Sequence, residues 1–130
     1  MPPMLMKHDA DPAMAIMKQA GNLDAFELFG NQVLLGVYMR PKVTKSGIHL
    51  ADQTLKEDEH QGKAGLVLKK GPAAFVSDDN YDFRGQDVQV GEWVAIFISD
   101  GRKIAINGQL CRLVEDHHIR LKIPAPDVVF

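Results

Sequence analysis

Trp93-Val94-Ala95-Ile96-Phe97-Ile98-Ser99-Asp100-Gly101-Arg102-Lys103-Ile104-Ala105-Ile106-Asn107-Gly108-Gln109-Leu110-Cys111-Arg112-Leu113-Val114 is the stretch that decides the fold. It holds three short apolar runs, 93–98, 103–106 and 109–114, separated by Gly-bearing pairs. Asp100-Gly101 is a tight-turn signal, and Asn107-Gly108 is the strongest short-range hairpin signal in the chain. Three strands in succession follow. Further on, Ile119-Arg120-Leu121-Lys122-Ile123 alternates apolar with basic, which predicts a strand with one buried and one wet face. Pro124 and Pro126 then stop the sheet. Toward the N-terminus, Val33-Leu34-Leu35-Gly36-Val37-Tyr38-Met39 and Gly65-Leu66-Val67-Leu68-Lys69-Lys70 read as strands of the buried kind. Short strands at close spacing with Gly-bearing turns predict an all-β domain, a small barrel or sandwich. A barrel would also remove exposed sheet edges.

The first 25 residues have a different texture, rich in Met and Ala. They predict one short helix. Asp11 caps it, Pro12 suits its first position and Gly21 suits the position past its end. Met14 and Met17, with Ala13 and Ala20, are expected on one side. So short a helix does not persist alone in water and must dock. Three docking places are open at this point: the chain's own barrel, a neighbouring subunit, or a partner, with Met14, Ile16 and Met17 as the residues of an assembly arm.

Two connections are too long to be simple turns. The first runs from Pro41 to about Gly62. It places Ile48-His49-Leu50 inside a polar, Gly-bearing segment, the pattern of a loop that anchors on a partner through a few apolar side chains. The second runs from Gly71 to about Gly91 and holds Phe75, Asp78, Asp79 and Tyr81.

Bulk properties exclude several classes of function. The chain has 130 residues, 45% hydrophobic and 25% charged, room for one domain with a modest core. Its net charge is −2 with scattered basic residues, which argues against binding nucleic-acid phosphates. No apolar run approaches the roughly 20 residues of a membrane helix, and no signal peptide is read at the N-terminus. One cysteine, Cys111, allows no internal disulfide and fits a reducing compartment such as cytoplasm.

Enzyme chemistry is not expected. There is no phosphate-binding glycine loop and no nucleophile elbow. Cys111 lies in an apolar run and reads as inert core. His117 and His118 beside Glu115 and Asp116 invite a metal reading. Taken as strand neighbours, however, the two rings would point to opposite faces, so a solvated turn is expected, with no metal and no cofactor.

The order of these features resembles the GroES co-chaperonin family. Asn31-Gln32-Val33-Leu34-Leu35-Gly36-Val37 is similar to that family's first core strand, and Thr44-Lys45-Ser46-Gly47-Ile48-His49-Leu50 to its mobile loop. Gln61 to Gly71 resembles the strand after that loop, and Val88-Gln89-Val90-Gly91-Glu92-Trp93-Val94 a V-x-V-G-D-x-V segment. Val114-Glu115-Asp116-His117-His118-Ile119 resembles the closing acidic turn. The likeness spans roughly residues 26–123.

The resemblance implies an irregular β-barrel over 26–123, with an arm at 1–25 and a tail at 124–130. It implies a homo-oligomeric ring that caps a nucleotide-bound chaperonin, with Gly47 as the loop's bend and Ile48 and Leu50 as apolar anchors. His49 stands where the family usually has an apolar residue. The arm and tail have no usual counterpart, and the chain looks more like extended bacteriophage variants of the fold, which work in the host cytoplasm. The alternative expectation is a virion structural protein, a capsid decoration or junction subunit on the same barrel, whose arm, tail and altered tripeptide contact other virion proteins.

Overall fold

The structure is a computed structural model that describes residues 8, 10–40, 49, 63–97 and 99–129. It consists of one short helix and one six-stranded antiparallel sheet. Helix α1 is Pro12–Ala20, followed by strands β1 Gln32–Val37, β2 Ala64–Lys70, β3 Trp93–Ala95, β4 Arg102–Ile106, β5 Gln109–Glu115 and β6 Leu121–Ile123. Single 3-10 turns stand at Asp116–His118 and Pro126–Val128. The order across the sheet is β4-β5-β1-β2-β3-β6. β1 lies at the centre, with Leu35 opposite Val67 of β2 and Arg112 of β5.

The expected barrel is not closed. Among the described residues no ladder joins β4 to β6, so these two strands are the sheet's edges. Side chains draw the two ends together instead. Arg112, only 2% exposed, donates from Nη1 to the carbonyls of Phe97 and Asp100, both at 3.0 Å. Arg120 reaches from the β6 side to Asp100 Oδ2 at 3.3 Å and lies over the Phe97 ring. A β5 residue and a residue beside β6 therefore hold the same turn. The edges carry the usual protections, Arg102 and Lys103 on β4, and only three residues in β6 before Pro124.

Both faces of the sheet are buried, which is why β1 and β2 read as continuous apolar runs. One face gathers Val33, Leu35, Val67, Val94, Ile96 and Val114 under the 71–91 connection, which contributes Ala74, Phe75 and Val88. The other gathers Leu34, Tyr38, Leu66, Leu68, Trp93 and Cys111. Helix α1 covers this second face with Ile16 and Ala20, and the C-terminal turn adds Val128 and Val129. The segments on either side of the 26–123 unit thus complete its core.

The helix termini follow the sequence signals. The Asp11 side chain accepts from the Ala13 amide, Pro12 opens the helix, and Gly21 at φ 77° donates to Met17 O. Its buried stripe differs from expectation. It is Ala13-Ile16-Met17-Ala20, spaced i, i+3, i+4, i+7, and Met14 lies outside it at 63% exposed. Gly36 explains how the helix comes so close. A Cβ there would overlap the Ile16 Cγ2 methyl, so the missing side chain is the seat for Ile16.

The Asn107-Gly108 turn forms as expected, both residues at positive φ (52° and 81°) as a two-residue hairpin turn requires. It also fastens the helix. Asn107 Nδ2 donates to Ala20 O at 2.7 Å, and Gln19 Nε2 donates back to Asn107 O. One carbonyl left unpaired by the helix end is satisfied this way.

The last strand starts later than expected. Ile119 N–H donates to Asp116 O at 3.1 Å, closing the 3-10 turn, so β6 begins at Leu121. Residues 119, 121 and 123 do not share one buried face. Ile119 packs on the first core face, Ile123 on the second, and Leu121 is 55% exposed.

Candidate functional site

The expected partner loop is placed by its two ends. Val37 of β1 stands opposite Gly65 of β2, and Tyr38 N–H donates to Ala64 O at 3.0 Å. The chain leaves the sheet after β1 and re-enters beside the point of departure. The described flanks of segment 41–62 therefore lie side by side at one end of the β1–β2 pair. Of the expected contact residues, His49 is exposed and takes part in an isolated bridge. Gly47, Ile48 and Leu50 lie outside the described residues.

The expected arm residues separate. Ile16 is in the core, Met17 packs at its edge, and Met14 is exposed. Beside the helix runs an open groove lined by Ala15, Ile16, Val37, Tyr38, Ala105 and Leu110. His8 closes one end, with Nε2 2.6 Å from the Tyr38 hydroxyl. Tyr38 in turn meets the Trp93 ring edge-on at 5.8 Å.

The 71–91 connection is well tied. Gly71 N–H donates to Gln32 O at 2.7 Å, and Gly91 N–H to Val67 O at 2.8 Å. Lys70 pairs with Asp87 at 2.9 Å. Burial works to raise Asp87, but its hydrogen bonds from Lys70 and the Val88 amide outweigh that and hold its carboxyl below the ordinary value. Asp78 uses Oδ1 to accept the amides of Asn80 and Tyr81, a turn of the Asx kind. An aromatic group of Phe75, Phe83 and Tyr81 continues to His117 and His118, with successive ring centroids 4.5–6.5 Å apart.

The two histidines do not behave as strand neighbours. They sit in the 3-10 turn, which turns both rings to one side, with centroids 4.6 Å apart. The turn is closed by a capping box in which His118 takes the part usually played by Glu or Gln. Glu115 N–H donates to His118 Nδ1 at 3.1 Å, and the Glu115 side chain accepts the His118 amide. Behind them Asp116, 3% exposed, accepts from Asn31 Nδ2 and the His117 amide through Oδ1, and from the Phe75 amide through Oδ2. This buried carboxylate binds the start of β1, the second connection and the turn together. Sequence reasoning had passed over it as part of a solvated run.

No described residue set resembles a nucleophile with its base. Cys111 is fully buried, its Sγ donating to Gln109 O at 3.4 Å, and burial pushes its thiol up to about 11. Such a thiol is not a nucleophile near neutrality. No helix among the described residues is long and apolar enough to cross a membrane. A scan against protein-family models and a search of curated proteins both gave no match.

Proposed function

We propose that this chain is a subunit of a co-chaperonin-like ring, built on a GroES-like barrel, whose 41–62 segment docks on a nucleotide-bound chaperonin. The observation that carries this reading is the placement of that segment. It leaves and rejoins the sheet at the tip of the β1–β2 pair, with Tyr38 N–H bonded to Ala64 O where the two strands meet. The segment between these flanks carries the short apolar tripeptide Ile48-His49-Leu50. Binding then needs few contacts, because hydrophobic anchors in pockets dominate such interfaces and several subunits act at once. The open edges β4 and β6 fit head-to-tail self-association, which closes rings when the rotation allows.

The virion structural reading drew on three features, the N-terminal arm, the C-terminal tail and the altered tripeptide, and the structure bears on the first. Ile16 and Ala20 are engaged in the chain's own core, so the helix offers a neighbour little beyond Met14. That tilts the choice toward the co-chaperonin reading. Replacing Ile48 and Leu50 together by Asp tests it. The variant is expected to keep the wild-type circular dichroism and oligomer size and to lose chaperonin binding. Undiminished binding by the double variant sinks the anchor assignment.

A further inference from the structure

We propose that the Glu115–His118 turn binds one divalent ion of the zinc class through Glu115, His117 and His118. The ligand atoms these three residues offer lie within 4.8 Å of one another. The pair His117 Nε2 and Glu115 Oε2 stands 3.2 Å apart. A tetrahedral ion with bonds of about 2.0–2.1 Å has its ligands roughly 3.3 Å apart, so this pair already spans one edge of the polyhedron.

The surroundings orient His117 for that role. Asp116 Oδ1 lies 3.6 Å from His117 Nδ1, on the side of the ring away from Glu115. A ring with its hydrogen on Nδ1, toward Asp116, offers its Nε2 electron pair to a cation beside Glu115. Asp116 does not move, because Asn31 and the Phe75 and His117 amides hold both its oxygens. The Tyr81 and His117 ring centroids stand 6.5 Å apart.

His118 joins at a cost. Its Nδ1 now accepts the Glu115 amide, so ligation exchanges that part-buried bond for the metal. Remaining positions fall to water, since the Glu115 and His117 side chains are close to half exposed. Two imidazoles and a carboxylate in an open set suit Zn²⁺, Co²⁺ or Ni²⁺ better than Ca²⁺ or Mg²⁺, which prefer all-oxygen shells. The buried Cys111 does not compete.

Titration of the full chain with Co²⁺, followed by its visible d–d bands, and with Zn²⁺ by calorimetry, tests the site. One ion per chain is expected. His117→Ala should abolish binding, and Glu115→Gln and His118→Ala should each weaken it at least tenfold. A triple variant at the remaining histidines, His8, His49 and His60, should bind as wild type. Unchanged thermal unfolding of His117→Ala would show that its loss of binding is local. Absence of binding at millimolar Zn²⁺, or binding that survives His117→Ala or is unaltered by His118→Ala, overturns the three-ligand site.

Discussion

Replacing Gly36 by Ala should lift helix α1 from the sheet while leaving the sheet folded. The new Cβ would overlap Ile16 Cγ2 and stand 3.3 Å from Leu68 Cδ1. Something must yield, and β1 is the stiffer side because it is paired to β2 and β5 along its whole length. Helix α1 is held by one apolar stripe and by its bonds to Asn107. Overpacking of this kind costs about 1–3 kcal/mol. Undocking would forfeit about 1.5–3 kcal/mol for Ile16 burial and about 1 kcal/mol for each hydrogen bond, so partial displacement is the cheaper response. Ala also restricts the unfolded chain more than Gly, which returns about 0.4–1 kcal/mol. The net destabilisation is about 1–2 kcal/mol, well short of the roughly 5–15 kcal/mol that holds a domain together. Hydrogen exchange reads it directly. Amides of residues 16–21 should exchange roughly 5- to 30-fold faster, with β1 and β5 little changed. Adding Ile16→Ala should restore part of the lost protection, since the two changes share one volume. Uniform loss of protection across the sheet, or none at the helix, refutes the seating of Ile16 on Gly36.

Other substitutions probe the remaining joints. Arg112→Met keeps much of the buried volume but leaves the Phe97 and Asp100 carbonyls without this donor, and should cost about 2–4 kcal/mol in urea unfolding; a loss under 0.5 kcal/mol would show the seam to be unimportant. Asn107→Gly preserves the positive-φ turn and deletes only the bond to Ala20, so it should cost about 1 kcal/mol and fray the helix end first, as read by exchange at Gly21. The Cys111 thiol should resist alkylation in the folded protein and react on unfolding. Because its folded value is raised to about 11 from an ordinary 9.0, its contribution is intact below pH 9 and is lost as pH rises toward 11. Stability that stays flat across that window would contradict its burial as a neutral thiol.

The fold was legible where local chemistry decides it. Asn107-Gly108 tolerates positive φ, Asp11-Pro12 starts a helix and Gly21 ends one, and each of these held. The helix's buried stripe was harder, because Met14 and Ile16 are both apolar and only a close approach to Gly36 selects Ile16. The turn at 116–118 was expected, but as a solvated one, and its buried carboxylate was missed because its cause is non-local. Asp116 is anchored by Asn31 and Phe75, far away in sequence, and that anchoring turns both histidines to one side. The link between the two open ends of the sheet was equally hidden, since Arg112 and Arg120 look like ordinary strand cations until both are found at one turn. For the site, the sequence supplied the tripeptide Ile48-His49-Leu50, and the strand pairing showed that the flanks of its segment meet at one end of the β1–β2 pair.

Native mass spectrometry of the chain mixed with a bacterial chaperonin double ring, with and without ATP, tests the central claim most directly. The account predicts a ring of this chain bound to the chaperonin only when nucleotide is present, and lost with the Ile48 and Leu50 double Asp variant. A chain that remains unassembled, or that ignores the chaperonin whether or not ATP is present, would contradict it.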